Sequence, residues 1–469
     1  MQKIFYSILS SIILFVFLFG GCSVKKIEDA PTSPDDLAKV NSCEGCHTNY
    51  DHLKANYTED PPSGPSHGCG GDAPHYEPYD RVYMGGAGYA DFQSDIHGKL
   101  GCVTCHNGVD GTSDRNEAHS GEFTKEPSHI AGEKCASCHP QIVQRTTNSI
   151  HEQGWGQKMM LIKRGGYGDQ PSDFDKCPEE MKEGYSQNCF TCHGTCGECH
   201  VIRPKIMGGG LTSGHSFIKT PDMVEVCVGC HVSRGGHAYL GVAQGTRPDV
   251  HLTKMGFTCI QCHSMDEVHG DGKVYDTRFK VPALPKCENC HSGLANKNSY
   301  HQKHINDFNC QTCHSQDYNN CGSCHIGTED GARIPSHMKF KIAVNPIPDI
   351  KTNYKLATVR ESLSAPDSWD HYGVAVLANF DVAPTYKYAT PHNILRWTAR
   401  TDTTVIATEN DDVSHPACSQ ACHIVKQKDE TYRNKEFYLF NSDLNDWELN
   451  ADKDIVLDGR LPGWWKVNN

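Results

Sequence analysis

Ten stretches of this 469-residue chain read Cys-x-x-Cys-His, beginning at Cys43, Cys102, Cys135, Cys189, Cys196, Cys227, Cys259, Cys287, Cys310 and Cys321. An eleventh, Cys418-Ser-Gln-Ala-Cys422-His423, carries one more residue between its cysteines. On a helical turn, residues i, i+3 and i+4 share one face, so two sulfurs and an imidazole converge on one object. The chemistry that uses this convergence is covalent attachment of haem c, with thioethers to the two sulfurs and the His nitrogen in an axial iron position. Structural zinc and disulfides also use Cys-x-x-Cys pairs, but neither needs a His directly after the second Cys. With 28 His in the chain, eleven such histidines by accident would have a probability on the order of 10⁻¹³.

The expected attachment residues are therefore Cys43 and Cys46, Cys102 and Cys105, Cys135 and Cys138, Cys189 and Cys192, Cys196 and Cys199, Cys227 and Cys230, Cys259 and Cys262, Cys287 and Cys290, Cys310 and Cys313, Cys321 and Cys324, and Cys418 and Cys422. Their proximal ligands are His47, His106, His139, His193, His200, His231, His263, His291, His314, His325 and His423. Setting these eleven aside leaves seventeen histidines, more than eleven second axial positions need. Two imidazoles on every iron describe haems that carry electrons rather than bind substrate. The candidates for the distal role are His97, His129, His151, His215, His251, His269, His301, His304, His337 and His392, several of which, such as His97, His129 and His304, stand just ahead of a motif. Met84, Met159, Met160, Met207 and Met255 are the alternative axial donors, although such residues more often pack. Of 25 Cys, 22 belong to motifs. Cys69 and Cys177 either pair as a disulfide or remain separate thiols.

The elements that must position these groups follow from composition. Only 37% of residues are hydrophobic, a thin supply for a conventional core, so cofactors are expected to fill the interior. About 41 residues per haem is too few for independent domains, which gives a haem-packed body, mostly irregular with short α-helices and minor β in the C-terminal region. In a body of that size haems would lie roughly 20 Å apart centre to centre. Residues 43–180 form an N-terminal three-haem region, 181–330 a seven-haem core, and 331–469 a wrapping region with one haem, in which 372–378 and 403–408 read as strands. A formal charge of −13 excludes nucleic acid as a partner and favours cationic or metal-bearing ones.

Residues 1–21 form an export signal: Lys3, an apolar run from Ile4 to Phe19, then Gly20-Gly21-Cys22. The run is shorter than the roughly 20 residues of a spanning helix. It resembles a bacterial lipoprotein signal, which implies a lipid on Cys22. Ser23, not Asp, follows Cys22, which by the same resemblance points to the outer membrane, on its periplasmic or cell-surface face. Residues 22–42 then read as a flexible tether of roughly 20–25 Å.

On its motifs, densest from Cys189 to His325 and including Gly256-Phe-Thr-Cys259-Ile-Gln-Cys262-His263, the chain resembles the large multihaem cytochromes c of anaerobic respiring bacteria. That resemblance implies electron transfer in anaerobic or extracellular respiration. The partners would be other cytochromes, quinol-linked donors and extracellular acceptors. The chain departs from outer-surface metal reductases in having no room for their large β-barrel domains. Two alternatives stay open. Multihaem reductases of nitrogen or sulfur oxyanions share this haem density and keep one haem open, but the Lys that replaces a motif His in pentahaem nitrite reductases occurs in none of the eleven motifs. A filament subunit donating a His across a boundary is the other, with His52, His67 or His75 as donor. Replacing Cys22 with Ala is expected to abolish incorporation of labelled fatty acid into the protein. Unchanged labelling would contradict the lipoprotein reading.

Overall fold

The computed structural model describes residues 40–60, 75–188, 192–232, 235–243, 245–318, 340–361, 379–402 and 418–468. The signal, Cys22, most of the tether, Cys69, Cys189, Cys321, Cys324, His325, His337 and the expected strands at 372–378 and 403–408 lie outside these residues. Among the described residues, no helix is long and apolar enough to cross a membrane.

Helices are short because turn-forming residues interrupt them every few positions. The Trp155–Gly165 helix has 11 residues and is bracketed by Gly154 and Gly166, both left-handed. Helices of this length are marginal in isolation and depend on what they pack against. Here Met159, Leu161 and Ile162 bury against Met181 and Tyr185 of the Glu179–Asn188 helix, together with Cys177. Full burial of each such aliphatic side chain contributes about 1.5–3 kcal/mol. The second helix runs across residue 180, so packing is continuous between the two regions divided there by sequence.

Most described motifs form single turns. Cys43–Thr48, Cys102–His106, Cys196–His200 and Cys310–His314 are α-helical, while Cys259–Gln261 and Cys287–Asn289 are 3-10 turns. The variant at Cys418–Cys422 is also α-helical. Its extra residue is taken up within one turn.

Among the described residues, sheet is confined to the C-terminal third. Strands β1 (Lys341–Val344), β2 (Leu356–Glu361) and β3 (Tyr386–Tyr388) form an antiparallel sheet in that order. Strands β4 (Ile424–Lys426), β5 (Tyr432–Arg433) and β6 (Lys466–Asn468) form a second, with β4 central and parallel to β6. Strand β2 carries Val359 into a core with Ala343, Tyr386, Leu439, Ile455 and Val456. A second core gathers Phe308, Ile342, Ile424, Tyr438, Leu457 and Trp465.

These sheets fasten two motifs. Thr358 N donates to Asn309 Oδ1 at 3.0 Å and the Thr358 hydroxyl meets that of Thr312 at 3.0 Å, tying β2 to the Cys310–His314 helix. Trp465 Nε1 donates to the Tyr438 hydroxyl at 2.6 Å, which donates to Cys422 O at 2.8 Å. Between the two motifs lies Arg400, 3% exposed. Its guanidinium donates to Thr312 O at 2.7 Å, Ser315 O at 2.7 Å and Asp317 Oδ1 at 2.9 Å. Removing one partner of a buried ion pair typically costs 3–5 kcal/mol, and Asp317 is partly solvated. Arg400→Met is therefore expected to destabilise the C-terminal third by about 3 kcal/mol, read as a lower denaturant midpoint of the intact protein. A midpoint equal to the parent's would contradict this.

Candidate functional site

One continuous cavity of 4210 Å³ runs through the molecule, several times the roughly 300–1,000 Å³ of a small-molecule site. Its walls carry Cys43, Cys46, Cys102, Cys105, Cys135, Cys138, Cys192, Cys196, Cys199, Cys227, Cys230, Cys259, Cys262, Cys287, Cys290, Cys310, Cys313 and Cys422, with the motif histidines His47, His106, His139, His193, His200, His231, His263, His291, His314 and His423. The residues that sequence marks for chemistry thus face a common space.

Across that space, among the described residues, nine motif histidines each face another histidine at nearly one spacing. Ring centroids are 6.2 Å apart for His47 and His119, 6.0 Å for His139 and His97, 6.0 Å for His106 and His215, and 6.2 Å for His231 and His151. They are 6.2 Å apart for His200 and His269, 6.0 Å for His291 and His251, 5.9 Å for His263 and His392, 6.0 Å for His314 and His301, and 6.3 Å for His423 and His304. Rings in direct stacking contact come closer, as His97 and Phe217 do at 4.0 Å. Two imidazoles bound to one metal through nitrogen bonds of about 2 Å would have centroids about 6 Å apart. The interplanar angle varies from 14° to 88°, so the spacing is constant while the orientation is not.

The other ring nitrogen is often fixed by an oxygen that can only accept. Nδ1 of His47 lies 3.1 Å from Val82 O, that of His106 2.9 Å from Thr124 O, that of His200 2.6 Å from Ile218 O, and that of His392 2.8 Å from Thr390 O. Asp95 and Asp249 each do two jobs. Each carboxylate caps a helix start by accepting the backbone N–H of His97 or His251, and the same oxygen reaches that residue's Nδ1. Glu267 serves His263 at 2.9 Å. A carbonyl or carboxylate partner puts the ring proton on Nδ1 and leaves the Nε2 lone pair for a metal, the usual outer support of a ligating histidine.

Electrostatics agree with ligation. Burial pushes His215 and His392 down to about 4 and lowers His47, His106, His151, His269, His304, His314 and His423. These rings are kept neutral, the form that binds metal. His251 is raised instead, by its hydrogen bond to Asp249.

Of the ten distal candidates from sequence, His97, His151, His215, His251, His269, His301, His304 and His392 stand opposite a motif histidine, and His337 lies outside the described residues. His129 does not. Its Nε2 is 2.8 Å from Glu126 Oε2, a carboxylate that also takes Lys205 at 3.4 Å. The place opposite His47 belongs to His119, which sequence reasoning missed. His119 ends the Arg115–Ala118 turn with Nδ1 2.9 Å from Arg115 O; no motif-proximal spacing marks it. Among the methionines, Met159 packs in the core and Met255 is exposed. Burial raises the Cys177 thiol to about 11.

His193 has different surroundings. Its Nε2 lies 2.9 Å from Gln157 Oε1 and 3.2 Å from the Tyr185 hydroxyl. Gly154 passes so close that a Cβ there would come within 2.4 Å of that nitrogen.

Successive motifs touch one another through their cysteines. Cys192 lies beside Cys230, Cys227 beside Cys259, and Cys287 beside Cys310. Electrostatic reach joins Cys43 to Cys102, Cys135 to Cys105 and Cys196, Cys199 to Cys227, and Cys262 to Cys290. Cys313 and Cys422 meet at Arg400. The described motifs therefore form one connected series from the N-terminal region to the C-terminal one. No family model, no curated protein and no solved structure matches this chain.

Proposed function

We propose that this chain is a multihaem c-type cytochrome of about eleven covalent haems that conducts electrons in anaerobic or extracellular respiration. The observation that carries the reading is the set of nine facing histidine pairs at 5.9–6.3 Å. An iron held between two neutral imidazoles has no vacant position, which suits electron transfer and disfavours substrate binding. The connected series of motif cysteines supports a path along which each haem hands electrons to the next. Its partners would be redox proteins, such as cytochromes or quinol-linked donors, and extracellular acceptors. The charge of −13, which haem propionates would deepen, favours partners that present a cationic face or a metal surface. A lipid on Cys22 would hold the body at the outer membrane.

One observation favours a second reading, a reductase of nitrogen or sulfur oxyanions. Gln157 and Tyr185 crowd the Nε2 side of His193, and Lys158 stands beside Tyr185, its ammonium 5.7 Å from the ring centre. The Gln157 and Tyr185 side chains both hydrogen-bond the nitrogen that a proximal ligand gives to iron, so coordination at this motif would differ from that at the nine facing pairs, as it does at the open haem of a reductase.

Electron paramagnetic resonance of the holo-protein separates the readings and tests the pairs individually. His119→Ala is expected to convert one low-spin ferric haem to high-spin and to let that haem bind CO when reduced, whereas His129→Ala leaves the parent spectrum intact. The conduction reading fails if His119→Ala leaves every haem low-spin. A high-spin, CO-binding haem in the parent itself would favour the reductase.

A further inference from the structure

The cavity wall formed by the first sheet carries charges that the histidine pairs do not use. Register sets Arg360 on β2 directly opposite Lys387 on β3, and residues so placed share one face of an antiparallel ladder. Both line the cavity, as does Arg278 from the Arg278–Lys280 turn. Like charges directly opposite one another destabilise a ladder, and a negative group beside them would offset that cost.

Lys387 makes no ion pair with any described residue. Burial is the main influence on its ammonium, pushing it down to about 7; Arg164 and Lys163 push the same way, and Asp452 alone opposes them. The nearby acids are occupied with each other: Thr385 hydrogen-bonds both Glu448 and Asp452, and Glu361, one residue along from Arg360, hydrogen-bonds Glu448. A negative group arriving from the cavity would stabilise the lysine as a cation.

The position of the wall relative to one histidine pair is set by Tyr318. Its hydroxyl feels the charges of Arg360 and Arg278 and accepts a hydrogen bond from His392 N at 3.3 Å. His392 faces His263. Guanidinium forks bind carboxylates two bonds at a time, and a lysine adds a point charge.

We propose that Arg278, Arg360 and Lys387 form a carboxylate cradle on the cavity wall, and that its occupants are the two propionates of the haem seated between His263 and His392. The assignment rests on the haem reading, and the cradle fixes which edge of that haem faces the sheet.

The test uses the intact holo-protein, with haem content measured first by intact mass and the redox titration second. A parent that carries no covalent haem removes the haem reading itself, whatever the cradle does. With the haem complement present, the double variant Arg360→Gln/Lys387→Gln is expected to keep all its haems and to lower the reduction equilibrium of one of them about tenfold, 59 mV for a one-electron couple. Lys387→Gln alone should move the same haem in the same direction by less, which keeps the test available should the double variant fail to accumulate. The exchange Arg360→Lys/Lys387→Arg, which preserves charge, should titrate as the parent does. Full haem content with titrations overlaying the parent's would overturn the cradle. A response to added acetate in the parent that the variants lose, with no shift in acetate-free buffer, would show that a diffusible carboxylate occupies the site and would overturn the propionate assignment.

Discussion

Two imidazole rings 6 Å apart gain almost nothing from each other, because dispersion attraction weakens steeply once atoms leave contact. Among the described residues that spacing nevertheless recurs nine times, at 5.9–6.3 Å. Several pairs join segments far apart in sequence, as His106 with His215, His263 with His392 and His304 with His423. Each ring is steadied from behind by a carbonyl or carboxylate wherever Nδ1 has such a partner, so the geometry does not depend on ring touching ring. An iron porphyrin between each pair would supply the missing cohesion, covalently to one segment and through a metal bond to the other. That single requirement would account for helices too short to stand alone, for a sequence poor in apolar residues, and for a cavity of 4210 Å³.

The conventional cores sit where the motifs thin out. The Trp155–Gly165 and Glu179–Asn188 helices pack apolar faces together, and the two C-terminal sheets bury Val359, Tyr438, Leu439 and Trp465. The first core stands between the Cys135 and Cys196 motifs, and the sheet cores hold the C-terminal end of the series in place. The sheet reaches the Cys310 motif through Asn309 and Thr358, Trp465 stacks on His423 at 4.4 Å, and Arg400 stands between Cys313 and Cys422. Neighbouring motif cysteines lie beside one another in nearly the order of the chain.

Sequence made the motif residues legible because the Cys-x-x-Cys-His constraint is local: one turn of backbone brings its groups to one face. The small C-terminal sheets were legible only as a tendency. β2, Leu356–Glu361, is only six residues long and buries Ala357, Thr358 and Val359 in a row, so no alternation marks it in the sequence. Distal histidines are legible only where tertiary packing happens to agree with local spacing. His129 precedes the Cys135 motif much as His97 precedes Cys102, yet Glu126 lies within 2.8 Å and holds it. His119 has no such spacing, and the turn at Arg115–Ala118 nonetheless delivers it to His47. The cationic face of Arg360 and Lys387 depends on the register of β2 against β3, which no spacing in the sequence encodes.

Iron between paired histidines is the central claim, and anomalous diffraction from crystals of the holo-protein at the iron absorption edge tests it most directly. The account predicts a separate peak midway between the rings of each of the nine pairs. Peaks displaced from those midpoints, or no iron between the rings, would contradict it.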